Sequence, residues 1–207
     1  AWCGTFRSQS CDAEGNRVAA TLTINHLFGA AVVAGDTGVL LNNEMDDFAA
    51  ALDEPNFYGL VGTAPNLIAP GKRPLSSMTP TFLETENRIG VLGTPGGSRI
   101  VTMVLLATLA FEQGLPPTDW VGRGRFHHQY LPDEIQLEPD ALDPQVRKEL
   151  TAMGHELRVL ERRYGDMQAI LWDRAAGQVL AASDPRGIGA AEVFAVTSVP
   201  VVASEWD

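Results

Sequence analysis

Apolar and polar positions alternate most clearly toward the two ends of the chain. Residues 17–25 read Arg-Val-Ala-Ala-Thr-Leu-Thr-Ile-Asn, β-branched side chains alternating with small ones, which predicts a strand. Residues 88–92 predict another. Residues 167–173 and Gln178–Ser183 flank Arg174-Ala175-Ala176-Gly177, the pattern of an antiparallel hairpin. In the middle the period changes. Residues 100–111 form an uncharged apolar run of helical length, entered through a glycine turn (residues 93–99) and closed by Gly114-Leu115-Pro116-Pro117. A second helix is predicted over about residues 143–153, stopped by Gly154. Pro55, Pro65, Pro70, Pro74 and Pro80 exclude a helix interior across residues 53–80 and predict a long surface loop. A short apolar burst at residues 39–41 runs into a polar cluster, residues 42–47. Strands at both ends around central helices suggest a layered α/β arrangement.

Composition narrows the partners. With 45% hydrophobic and 20% charged residues, the 207-residue chain is globular rather than disordered. Its 26 acidic and 15 basic side chains give a net charge of −11. That balance disfavours a nucleic-acid partner, which requires surplus Lys and Arg, and equally disfavours docking on anionic lipid. The run 100–111 is fenced by Arg99 and Glu112 and is about half the length of a membrane-spanning helix, so no span is expected. Arg7 and Asp12 break any apolar stretch at the start, so no signal sequence is read there. Cys3 and Cys11 lack the spacing of a zinc or redox site; they read as two plain thiols, although a bridge between them is geometrically possible.

Four local clusters carry candidate chemistry. Gly96 and Gly97 open the predicted helix, where free N–H groups and the positive end of the helix dipole suit an anion or a developing oxyanion; a plain strand-to-helix turn is the alternative. The turn has neither the Walker nor the Rossmann spacing. Glu44, Asp46 and Asp47 place three carboxylates in four positions, able to hold an ammonium group or, with weaker support, a hard cation, or else to form a solvated acidic turn. Ser76 and Ser77, beside Lys72 and Arg73, could hold a carboxylate or simply punctuate a proline-rich loop. His127 and His128 are neighbours that point apart, and His26 and His155 stand alone, so all four read as structural or surface residues rather than metal ligands.

Taken in order, Thr23-Ile24-Asn25, the run 41–48 (Leu-Asn-Asn-Glu-Met-Asp-Asp-Phe), the run 70–78 (Pro-Gly-Lys-Arg-Pro-Leu-Ser-Ser-Met), the glycine turn 93–99, Arg125-Phe126-His127-His128-Gln129 and the run 182–186 (Ala-Ser-Asp-Pro-Arg) resemble the small, C-terminal subunit of the γ-glutamyltransferase (γ-glutamyl transpeptidase) family. The likeness covers residues 12–191. Residues 1–11, around the expected nucleophile, and the tail 192–207 depart from the family's pattern.

The resemblance implies an α+β fold, the αββα sandwich of the N-terminal-nucleophile hydrolases. It implies a precursor that cleaves itself, leaving this chain as the small subunit of a heterodimer with the large subunit. The small subunit's new N-terminal threonine attacks a γ-glutamyl amide such as glutathione, its own α-amine serving as base, and water or an amino-acid or peptide acceptor resolves the γ-glutamyl-enzyme. Counting back from Asp12 places that nucleophile at Thr5, behind Ala1-Trp2-Cys3-Gly4, so its amine is freed only by a cut after Gly4. By the same resemblance Thr23 supports the nucleophile, and Gly96 and Gly97 supply the oxyanion hole. Asn25, Glu44 and Asp47 hold the substrate's α-ammonium, and Ser76 and Ser77 hold its α-carboxylate. No cofactor and no metal are implied, and the expected location is periplasmic or extracellular. Two other readings remain: a non-catalytic remnant or binding module that keeps the pocket, or a related cephalosporin or poly-γ-glutamate acylase. The pairing of carboxylates with serines favours an amino-acid head group.

Overall fold

The computed structural model describes residues 5–195. Four strands make the central antiparallel sheet, in the order β3 (Thr81–Glu84), β4 (Arg88–Gly93), β8 (Gln168–Asp173), β9 (Gln178–Ser183). The predicted hairpin is β8–β9, with Asp173 opposite Gln178. A two-stranded ribbon, β1 (Thr5–Cys11) and β2 (Arg17–Thr23), packs against β4 and β8. The ribbon's register sets Thr5 opposite Thr23. The third sheet holds β5 (Phe126–His127), β6 (Ile135–Leu137) and β7 (Leu157–Val159), with β6 and β7 the parallel pair. Because the pairing is otherwise antiparallel, the architecture is α+β.

Helix α1 (Arg99–Glu112) and the short α2 (Pro117–Gly122) cover the other face of the central sheet. The core forms there: Leu92 of β4 and Ala169 and Leu171 of β8 meet Ile100, Met103, Ala107, Phe111 and Trp120. Gly90 lets β4 lie close to Phe111 and Leu83, since a Cβ there would stand 3.3–3.4 Å from both. The order ribbon, sheet, helices supplies three layers of the sandwich that the resemblance implied. Helix α3 (Pro144–Ala152), capped by the Asp143 side chain on the Gln145 N–H, packs beside β7.

Several sequence expectations change. The strand predicted to Asn25 stops at Thr23, since Asn25 adopts a left-handed φ of 69°. Strands β1, β3, β5, β6 and β7 and helix α2 had no clear periodic signal. The proline-rich stretch forms no strand or α-helix; it carries a 3₁₀ turn, Ala64–Asn66, and isolated bridges that pair Pro55 with Val61 and Leu67 with Ala49. Cys11 is a free thiol; Cys3, the cleavage position after Gly4 and residues 196–207 lie outside the described residues. No helix among the described residues is long and apolar enough to cross a membrane.

A four-charge network locks the far end of the core. Asp184 accepts hydrogen bonds from Arg125, from Arg186 and from the Met167 N–H, while Arg186 also reaches Glu138 at 2.6 and 2.8 Å. All four side chains are 5% exposed or less. Burial alone would raise Asp184, but Arg125 and the backbone donors outweigh it and hold the carboxyl below its ordinary range.

Candidate active site

The nine residues singled out from the sequence line one small cavity: Thr5, Thr23, Asn25, Glu44, Asp47, Ser76, Ser77, Gly96 and Gly97. They come from β1, the end of β2, a 3₁₀ turn, the proline-rich loop and the strand-to-helix turn. Only the sheet register and the loop's return bring them together.

Register does the first part. Pairing Thr5 with Thr23 sets their hydroxyls 2.8 Å apart. Thr23 Oγ1 also accepts the Asn25 N–H at 2.9 Å, a bond made possible by the left-handed turn at Asn25. Asn25 is buried and fully used. Its amide donates to the Asn43 carbonyl and to Asp47 Oδ1 at 3.3 Å, and its Oδ1 accepts the Tyr58 hydroxyl at 2.6 Å.

The acidic turn splits by face. In Glu44–Asp47, a single 3₁₀ turn, Glu44 and Asp47 line the cavity. Asp46 is exposed and instead accepts from Asn43 at 2.8 Å. Burial, then the neighbouring Asp47 charge, raises Glu44 above its ordinary value, and one of its oxygens is buried without a hydrogen-bond partner among the described residues. Burial also raises Asp47, against the opposing pull of the Asn25 amide. Two carboxylates held so close are electrostatically incomplete, and a cation between them would relieve both. Ser76 and Ser77 complete the cavity, but Lys72 does not join them: its ammonium donates to the Pro65 and Leu67 carbonyls, and neither it nor Arg73 lines the cavity.

At the glycine turn, neither the Gly96 nor the Gly97 N–H donates a hydrogen bond within the described residues, although both carbonyls are used to start α1. Gly97 sits at φ +58°, and a Cβ there would overlap the Tyr58 ring. Two unpaired N–H groups at the start of a 14-residue helix form an anion cradle. Tyr58, Met78 and Ile100 also line the cavity and were not among the predicted site residues; Tyr58 is the polar one of the three. Its sole local signal was an aromatic-glycine step, Tyr58-Gly59, inside a proline-rich loop, and only the loop's return places its hydroxyl on Asn25.

The histidines stay outside this cavity. His127 is buried between Thr102 and Gln129, and burial lowers its pKa; His128 is exposed and faces Asp133. Among the described residues, no three His, Cys, Asp or Glu side chains are grouped to hold a metal ion.

Several known proteins are similar to this chain. Residues 3–194 match the family model of γ-glutamyltranspeptidase. The chain is 44% identical over 179 residues to the glutathione hydrolase proenzyme of Escherichia coli (strain K12), covering 86% of this chain and 30% of that protein. It is 44% identical over 183 residues to the corresponding proenzyme of Pseudomonas aeruginosa, covering 86% and 32%. Among solved structures, γ-glutamyltranspeptidase from Pseudomonas nitroreducens complexed with L-DON superposes with a TM-score of 0.82 at 41% identity, covering 91% of this chain and 99% of that one. The chain spans about a third of the length of these curated relatives.

Proposed function

Since the chain belongs to the γ-glutamyltranspeptidase family, we propose that it carries the nucleophile and the donor pocket of a γ-glutamyl acyltransferase or hydrolase. One observation carries this reading: a single small cavity joins the Thr5 hydroxyl to two unpaired N–H groups, two carboxylates and two serines. An amino-acid head group needs an anionic end for its ammonium and a hydroxyl-rich end for its carboxylate, and the cavity has both. Glu44 and Asp47, braced by Asn25, take the ammonium; Ser76 and Ser77 take the carboxylate.

Chemistry follows from the same placement. Thr5 Oγ1 attacks the γ-carbonyl carbon, and its proton passes to the Thr5 α-amine, freed by a cut after Gly4. With Thr23 donating across the 2.8 Å contact, Thr5 keeps its own proton available for that amine. The developing oxyanion falls on the Gly96 and Gly97 N–H groups, each such donor being worth about 2.7–4 kcal/mol in acyl transfer. The protonated amine then returns the proton to the leaving nitrogen as the C–N bond breaks, leaving an ester. Water or an acceptor amine attacks that ester and regenerates Thr5.

The remaining part of a longer precursor is the proposed partner. Supporting this, the outer face of the β1–β2 ribbon presents Phe6 and Leu22, 74% and 73% exposed, and α1 presents Val101 and Leu105. Adjacent apolar side chains of this size suit burial against another layer.

The test is N-terminal sequencing and intact mass of the processed small chain, together with hydrolysis of γ-glutamyl-p-nitroanilide. A chain beginning at Thr5, with turnover lost in Thr5→Ala, is the expected result. Undiminished turnover in Thr5→Ala, or an inactive wild-type chain still carrying Ala1, would refute the assignment and favour a binding module.

A further inference from the structure

Arg7 lies on the inward face of β1, two residues from the proposed nucleophile, and its side chain is only 7% exposed. A buried guanidinium carries a desolvation cost that an apolar side chain of similar length would not, and a single ion pair rarely repays it. Here the guanidinium fork is shared between two elements. Both Nη atoms donate to Asp166 Oδ2, at 3.3 and 3.4 Å, and Nη2 also donates to the Thr5 carbonyl at 3.3 Å.

Asp166 is itself anchored to the core. It stands just before β8, and its Oδ1 accepts the Gln168 side-chain amide at 3.1 Å. It also packs against Gly187, where a Cβ would overlap its carboxylate. Gly187 in turn donates its N–H to the Asp184 carbonyl, beside the four-charge network. The Thr5 carbonyl is therefore tied through Arg7 to the central sheet, while the Thr5 hydroxyl is tied to Thr23. These two bonds lie on opposite sides of the Thr5 Cα–C bond and together restrict rotation about it. Once the chain is cut after Gly4, Thr5 becomes the terminal residue of a two-stranded ribbon, and terminal residues lose order unless something ties them down.

Resting on the nucleophile reading of Thr5, we propose that Arg7 is a positioning residue for acyl transfer. Its guanidinium, anchored on Asp166, grips the Thr5 carbonyl and fixes the backbone from which both the attacking hydroxyl and the basic amine project. Arg7 does not line the small pocket, so it acts on the substrate only through Thr5. Its effect therefore falls on the rate of attack and not on the binding of the γ-glutamyl head.

The experiment follows p-nitroaniline release from γ-glutamyl-p-nitroanilide in single turnovers of the processed two-chain enzyme. The saturating rate constant reports acylation, and the half-saturating concentration reports binding. Arg7→Gln should slow acylation about tenfold or more, because a misplacement of about 1 Å already costs on the order of 10²-fold. Half-saturation should stay within about twofold of wild type, since no contact to the head group is lost. Asp166→Asn leaves Arg7 its grip but weakens the anchor, and should slow acylation about threefold, the effect of one modest hydrogen bond. The double variant should be no slower than Arg7→Gln, because without the grip its anchor has nothing to act through. Wild-type acylation in Arg7→Gln, a change confined to half-saturation, or losses that multiply in the double variant would each overturn the proposal. If Arg7→Gln does not fold, Asp166→Asn decides alone, and wild-type acylation there overturns it. Full turnover in Thr5→Ala, or a wild-type chain that never acylates, sinks the nucleophile reading instead. The grip is then read on the uncut chain by amide hydrogen exchange at Phe6 and Leu22, which face each other across the ribbon. Exchange about threefold faster in Arg7→Gln supports it, and unchanged exchange overturns it.

Discussion

Replacing Asp47 with asparagine changes charge at nearly constant shape and should separate binding from stability. Asp47 Oδ1 accepts from the Asn25 amide at 3.3 Å, and an asparagine carbonyl oxygen can keep that bond. What disappears is one of the two negative charges facing the pocket. A hydrogen bond to a charged group is worth about 1.5–3 kcal/mol. Because Asp47 is only half-buried, solvent screening favours the lower half of that range, about 1.5–2 kcal/mol. At about 1.4 kcal/mol per decade, the KM for γ-glutamyl-p-nitroanilide should rise roughly 10- to 30-fold. The change should fall on KM rather than kcat, since the ammonium is held equally in ground and transition states. A substrate lacking the α-amino group, glutaryl-p-nitroanilide, should show no difference between wild type and variant. Stability should move the other way. Glu44 and Asp47 both have raised pKa values, so their contribution to stability is present at low pH, where they are protonated, and is lost as pH rises through those raised values. Asp47→Asn should therefore unfold no earlier than wild type at pH 7.5 and be indistinguishable from it near pH 4. Steady-state kinetics and thermal unfolding at both pH values decide the matter. A KM within twofold of wild type refutes the ammonium assignment, and a marked loss of thermal stability at pH 7.5 shows Asp47 to be structural.

Three further outcomes test the packing around the site. Asp184→Asn leaves the buried Arg125 guanidinium without its ion-pair partner, while Arg186 keeps Glu138, and should cost about 3–5 kcal/mol in urea unfolding at pH 7; because the Asp184 pKa is lowered, that penalty should shrink as pH falls below the ordinary aspartate range, where the wild-type bond is also lost. Gln9→Met removes two buried polar atoms that lack partners among the described residues, and should stabilise the chain by about 1–2 kcal/mol in the same assay, whereas destabilisation would reveal a partner for that amide. Gly97→Ala forces a left-handed φ on a residue with a Cβ and drives that atom into Tyr58, so it should lower kcat for γ-glutamyl-p-nitroanilide by at least about tenfold through a misplaced oxyanion donor, and wild-type turnover would count against the cradle.

Local sequence chemistry was enough to find the pieces of this site but not the way they meet. The helix α1, the hairpin β8–β9 and the strand β4 were legible because period, turn residues and breakers agree over enough positions. Glu44, Asp47, Ser76, Ser77, Gly96 and Gly97 were legible as residue types with a use. Strand β1 was not, because its inward face is polar (Arg7, Gln9) and its apolar Phe6 points outward, the reverse of a half-buried strand standing alone. Tyr58 was not, because a proline-rich loop carries no period from which its direction can be read.

By itself, the sequence determined the element types at the core, a net charge that disfavours a nucleic-acid partner and, through ordered blocks, the family. Only the tertiary structure decided that Thr5 meets Thr23, that Asp47 rather than Asp46 faces the pocket, and that Thr5 lines both that small pocket and a larger cleft. The reason is physical. Propensity and period act over a few residues, whereas strand register and loop return are fixed by burial across the whole sandwich, and a one-residue slip in β1 would turn Thr5 away from the site.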